Sequence, residues 1–230
     1  LREGIFYQNE DLIMEAVAEI LTMENIHLYG VGVNLTCYGA IIPKQDNLGG
    51  LATIARKIEA QFDIKLNVIS GGNSSSIYLI WKEGLPEGIN NLRLGESFLL
   101  GNDTAYGETV PGCVHDTMTL EAQIIELKEK PSLPIGEVGV DAFGEKPYYE
   151  DRGMMKRAII AVGKQDTDLG GMHPTDAQIE IMGGSSDHTI LDVTHAEKGY
   201  KVGDVVSFTL EYGAMLKLAT SPYVEKAYIK

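Results

Sequence analysis

The chain has 230 residues, 44% of them hydrophobic and 23% charged, enough to bury one large core or two small ones. With 19 basic against 33 acidic side chains its net charge is -14, a surface that repels nucleic-acid backbones and anionic membranes, so neither is an expected partner. Two cysteines, Cys37 and Cys113, make no disulfide framework, and no apolar run or leader suits a membrane or export, so the expected location is the cytoplasm.

The opening Leu1-Arg2-Glu3-Gly4 has neither methionine nor polar lead-in and reads as the middle of a longer sequence. From Glu10 to Met23, Ile13, Val17, Ile20 and Leu21 fall on one stripe of an amphipathic helix. Ile26 to Val33 is expected as a strand ending in a polar turn at residues 34–39. A second helix follows over Asn47 to Phe62, with Leu51, Ile54, Ala55 and Ile58 inward and Arg56, Lys57 and Glu59 outward. Residues 64–69 alternate and carry β-branched side chains, which predicts a strand; a helix is expected from Ser74 to Trp81. Residues 89–92 suggest another short strand before Arg93-Leu-Gly95, and Glu96 to Leu100 a short helix.

Between that strand and helix lies Ser70-Gly-Gly-Asn-Ser-Ser-Ser76. Paired glycines let the backbone turn sharply and approach a ligand, while Asn73 and the serines can cap the helix expected after them. Unpaired N–H groups at such a turn suit an anion, phosphate above all; a capped turn without a ligand is the competing reading.

Three strand–loop–helix repeats fit a small open parallel sheet or the last part of a β/α barrel, and in both the loops after the strands carry the site. Residues 101–112 form a turn-rich link. Beyond it, short β runs at 117–127, 158–162, 179–181, 189–193 and 205–212 predict an all-β domain, giving expected domains of 1–112 and 113–230.

The order of residues 34–39, Gly71-Gly-Asn-Ser-Ser-Ser76, Asn91-Leu-Arg-Leu-Gly-Glu96 and a β domain ending Thr220-Ser-Pro-Tyr-Val-Glu-Lys226 resembles the pyridoxal-phosphate-dependent alanine racemase-type enzymes, in particular their ornithine racemase branch. The resemblance covers nearly the whole chain. It implies the C-terminal part of a TIM-type β/α barrel carrying pyridoxal 5'-phosphate, then an all-β C-terminal domain, in a homodimer with shared active sites. It also implies racemisation of ornithine or a similar amino acid.

By the same resemblance Asn73 and Ser74 match the pair that binds the cofactor phosphate, and Gly95 and Glu96 the backbone amides completing its cup. Arg93 matches the arginine facing the pyridine nitrogen, where a guanidinium that cannot surrender its proton leaves that nitrogen an acceptor. Tyr223 lies within one residue of a phosphate-binding tyrosine. Arg2 matches an arginine near the phenolic oxygen and the substrate carboxylate, and Cys37 stands where a histidine flanks the ring. Asp141 occupies the position of the tyrosine that acts on the face opposite the cofactor lysine, with Tyr148 and Tyr149 as alternatives. Ser186 and Asp187 fall on a substrate loop, where an acidic residue suits a side-chain amine. No lysine here matches the cofactor-holding lysine, which the resemblance places on an earlier strand. The five histidines are dispersed, without metal-ligand spacing. Competing readings are a non-catalytic cofactor-binding protein, which would lack the β domain, and a barrel-type decarboxylase or D-threonine aldolase. The decarboxylase is expected to place a carboxylate where Arg93 stands, and the aldolase to carry a metal site.

Overall fold

A computed structural model describes residues 9–141, 143–144 and 146–229 of the chain. It divides into two compact units, Leu1–His115 and Asp116–Lys230.

The first unit is built on two parallel strands, β1 (Gly30–Gly32) and β2 (Val68–Ser70), paired Gly30 to Val68 and Gly32 to Ser70. Both are shorter than expected, and past their ends Asn67 N donates to Tyr29 O and Val33 N to Ser70 O. The expected strand at 89–92 is a single parallel bridge, Asn91 to Ser70, flanked by Asn90 N donating to Ile69 O and Gly71 N to Asn91 O. Gly30 permits the close pairing of β1: a Cβ there would lie 1.9 Å from Val68 O.

Helix α1 (Glu10–Leu21) starts where Asn9 accepts from Leu12 N, and buries Ile13 and Val17. The expected stripe is only half covered, since Leu21 stays exposed. Helix α2 (Gln45–Phe62) stops at Asp63, in the left-handed conformation at φ 51. It supplies the largest share of the core through Leu48, Leu51, Ala52, Ile54, Ala55 and Ile58, packed with Val33, Leu35, Leu66, Ile69 and Leu79. The long helix expected over 74–81 is instead a 3-10 turn, Ser74–Ser76, and the four-residue α3 (Leu79–Lys82). Helix α4 (Glu96–Leu100) follows Gly95. The link beyond it is ordered by the buried Asp103, whose carboxylate accepts from Ala105, Tyr106 and Glu108 N.

The second unit is a six-stranded antiparallel sheet in the order β5-β8-β3-β4-β7-β6. Strand β3 (Thr119–Pro131) is long enough to pair β8 (Val205–Leu210) along its first half and β4 (Met154–Ile160) along its second, with a bulge between Ile124 and Glu126 re-aiming it. Strands β5 (Met172–Pro174), β6 (Glu180–Gly184) and β7 (Thr189–Asp192) complete it. Ile124, Ala158, Ile160, Leu191, Val206 and Phe208 form the core. One helix, α5 (Tyr212–Thr220), stands where only strands were expected; Ala214 and Leu218, four apart, seat it on that core.

Candidate active site

In the first unit the segments after β1, after β2 and after the Asn91 bridge leave parallel backbone side by side, so residues 33–37, 70–76 and 93–97 meet at one end. Gly72 turns the second segment at φ +111, where a Cβ would lie 2.9 Å from Ser76 Oγ, and Ser76 Oγ, fully buried, donates to Gly71 O. Asn73 then caps the 3-10 turn: its Oδ1 accepts from Ser75 N at 2.9 Å and Ser75 Oγ at 2.7 Å. Its Nδ2 donates to Cys37 Sγ at 3.1 Å, and Thr36 Oγ1 lies 2.7 Å from Ser75 Oγ, tying the first segment to the second.

Ser74 reaches the third segment. Its Oγ accepts from Gly95 N at 3.2 Å and Ser97 N at 3.1 Å, with Ser97 Oγ also at 3.1 Å. A Cβ on Gly95 would meet nothing within 4 Å, so the space beside its amide is open. The Ser74 hydroxyl and the exposed Gly95 amide are neutral donors of a kind that fits a phosphate monoester, within a chain of net charge -14, and as placed the Gly95 and Ser97 amides and the Ser97 hydroxyl donate to Ser74 Oγ. No long helix follows Ser74, and the amides that reach its hydroxyl come from the third segment. Ser97, buried to 1% exposure, holds Ser74 through its amide and its hydroxyl, where the sequence pointed only to Ser74, Gly95 and Glu96.

Arg93 lies across the ends of β1 and β2. Its backbone N donates to Gly72 O at 2.8 Å, its Nη2 to Val33 O at 2.6 Å and its Nη1 to Ser70 Oγ. Asn73, Ser74, Arg93, Gly95, Glu96 and Cys37 are therefore brought together on three adjoining segments. Arg2 lies outside the described residues. A hollow of about 630 Å³ lined by Arg56, Glu59, Lys65, Asn67 and Asn90 lies at the N-terminal end of β2, away from these segments. One of its two carboxylates, Glu59, is already engaged: Leu66 N–H and then Lys65 hold it below the usual carboxylate range.

The other candidates belong to the second unit. Asp187 is exposed, and its Oδ1 accepts from Ser185 Oγ and Ser186 Oγ, both at 3.1 Å, with His188 Nδ1 at 3.2 Å. The two hydroxyls hold its pKa below the usual aspartate value, so it is an anion at neutral pH. Gly163 seats this loop: a Cβ there would lie 2.5 Å from Asp187 N and Ser186 O, while Lys164 N and Gln165 N donate to Ser185 O and Ser186 O. A glycine-lysine pair between strands gave no sequence signal for that role. Asp141 is exposed and caps a turn, its Oδ1 accepting from Phe143 N at 2.8 Å. Tyr148 and Tyr149 are exposed. Tyr223 presents its ring to solvent, but its N donates to Ser221 Oγ, which donates to the buried Asp166.

No family model matches the chain. It is 59% identical over 226 residues to the ornithine racemase of Acetoanaerobium sticklandii, covering 98% of this chain and 64% of that protein. It is 42% identical to the lysine racemase of Thermotoga maritima, covering 99% of this chain and 62% of that protein. The chain thus spans a little under two thirds of the curated relatives it matches. In structure it resembles the alanine racemase from Bartonella henselae with covalently bound pyridoxal phosphate, at a TM-score of 0.56 and 19% identity, over 93% of this chain and 55% of that one. By sequence the chain is a relative of ornithine and lysine racemases, and its fold is of the alanine racemase kind.

Proposed function

We propose that the full-length protein is a pyridoxal-phosphate-dependent racemase interconverting the L and D forms of ornithine or a similar basic amino acid. The observation that carries this is the convergence of Ser74 Oγ, Gly95 N and Ser97 N beside Arg93, in a chain 59% identical to an ornithine racemase. Residues 1–112 are read as the C-terminal part of a β/α barrel, followed by the β domain of 113–230.

Bound here, the cofactor supplies an electron sink that stabilises negative charge at a substrate α-carbon. The protein's part is binding, orientation and proton management. Ser74, Gly95 and Glu96 would hold the phosphate through neutral donors, with the buried Ser97 bracing Ser74, Asn73 fixing the turn that carries Ser74, and Tyr223 adding a hydroxyl. Arg93, always protonated, would donate toward the ring nitrogen and leave it without a proton, which would keep the sink moderate and limit side reactions. Racemisation removes one proton from the α-carbon and returns one on the opposite face; Asp141 is the candidate for that second group, and Arg2 would anchor the substrate carboxylate. Cys37 supports Asn73. Asp187, ionised and oriented by two hydroxyls, suits a substrate's side-chain ammonium, with Ser186 beside it. Reaching one substrate from both units is proposed to take a homodimer with shared sites, working in the cytoplasm. Among the described residues no helix is long and apolar enough to cross a membrane.

The test is a visible spectrum of the full-length protein, then an amino-acid panel followed by polarimetry. Absorbance from bound cofactor and loss of rotation from L-ornithine are expected. A colourless protein that leaves every rotation unchanged overturns the reading.

A further inference from the structure

We propose that Ser70 and Gly32 are positioning residues: they form a neutral socket that fixes the Arg93 guanidinium and, through it, the proton state of the cofactor's ring nitrogen. The second half of this statement rests on the reading of Arg93 given above; the socket does not.

The socket is built from three placements. Gly32 and Ser70 are register partners in the β1–β2 pair, so their Cα positions face each other across the two strand ends. Ser70, 4% exposed, offers its hydroxyl to Arg93 Nη1, while Val33 O, one residue beyond Gly32, takes Nη2. A Cβ on Gly32 would lie 3.2 Å from Arg93 Nη1 and 3.1 Å from Ser70 Cβ, tighter than such contacts normally are. The missing side chain at 32 is therefore the room in which the guanidinium lies.

Two acceptors on different nitrogens fix the guanidinium plane, whereas one alone leaves it free to swing about the remaining bond. Both acceptors are uncharged, as is Gly72 O on the Arg93 backbone, so these contacts orient the cation without offsetting its charge. A planar cation held in this way presents a fixed N–H edge, and a ring nitrogen facing that edge has no proton source with a lower pKa than guanidinium. Loosening the guanidinium admits water to the nitrogen, and a protonated ring is a stronger sink that favours return of the proton to the wrong carbon, which is transamination.

The experiment uses the full-length protein. Without cofactor, the ¹⁵N spectrum of the Arg93 side chain, assigned by its absence in Arg93→Gln, should show two resolved Nη signals. Ser70→Ala should merge them and Ser70→Thr, which keeps the hydroxyl, should restore them. With ¹⁵N-labelled pyridoxal phosphate bound, Ser70→Ala and Gly32→Ala should move the ring-nitrogen shift toward the protonated form and raise transamination per racemisation event by about fivefold or more. Ser70→Cys, a weaker acceptor, replaces Ser70→Ala if that variant does not fold. Resolved Nη signals in Ser70→Ala overturn the socket. An unmoved ring nitrogen in Ser70→Ala, alongside a shifted one in Arg93→Gln, overturns its influence on the cofactor. An unmoved nitrogen in Arg93→Gln itself removes the reading of Arg93 instead, and the cofactor-free spectra still judge the socket.

Discussion

Replacing Ser74 by alanine deletes one oxygen on which three donors converge, and the consequences differ with and without cofactor. Ser74 is 4% exposed and Ser97 1%, so the Ser97 N–H loses its acceptor in a place water does not reach, whereas the exposed Gly95 can turn to solvent. One buried N–H left unpaired costs about 1–3 kcal/mol, which is the expected loss of stability in the cofactor-free protein. With cofactor, the hydroxyl-to-phosphate bond is charge-assisted and worth about 1.5–3 kcal/mol, or roughly 10- to 150-fold in Kd. Ser74→Asp goes further, because two unit charges about 4 Å apart repel by ~4 kcal/mol at an effective dielectric constant of 20, and the phosphate carries more than one. Its Kd should therefore rise by more than about 1,000-fold. The assay is titration of pyridoxal phosphate into stripped full-length protein, followed by absorbance, with a thermal melt of each variant. Alanine and aspartate variants that bind equally, or that both bind within about twofold of the wild type, would refute a phosphate at Ser74.

Three further outcomes are expected. Gly30→Ala places a Cβ 1.9 Å from the Val68 carbonyl, which cannot yield without opening the β1–β2 pair; a loss of about 3 kcal/mol or more should appear in denaturant melts, and a neutral result would mean the strands are not paired there. Burial first, and then the Tyr106 hydroxyl, push Tyr78 from 10.0 up to about 12, its hydroxyl donating to Pro43 O. The folded state thus holds this proton more tightly than the unfolded chain, so the stability it contributes is complete below pH 10 and lost as pH rises toward 12, and Tyr78→Phe should flatten that alkaline decline. Asp187→Asn should lower kcat/KM for ornithine by about 10- to 100-fold, with alanine turnover little changed; an equal loss on both would make Asp187 a structural residue.

Each element was legible in the sequence to the extent that its signal measures burial or strand ends directly. The α2 stripe could be read because a helical period in apolar residues is burial itself, and every inward position expected there is buried. The three polar segments were readable because glycine, asparagine and serine clusters mark the ends of strands. That no long helix starts at Ser74 was not readable. The apolar run at 77–81 has no period long enough to tell a helix from a 3-10 turn and one short helical turn, and the amides that reach Ser74 are those of Gly95 and Ser97. Helix α5 was missed for a related reason, since Tyr212–Thr220 adjoins a β run and is seated by only Ala214, Met215 and Leu218. Gly32 and Gly163 gave no signal at all, because the roles of both depend on a neighbour far away in sequence: Arg93 for the first and Asp187 for the second.

The most direct measurement is a crystal structure of the full-length protein with pyridoxal phosphate. The phosphate should lie within hydrogen-bonding distance of Ser74 Oγ and Gly95 N, with the ring nitrogen facing the Arg93 guanidinium. A cofactor bound elsewhere, or one whose ring nitrogen meets a carboxylate instead, would contradict the account.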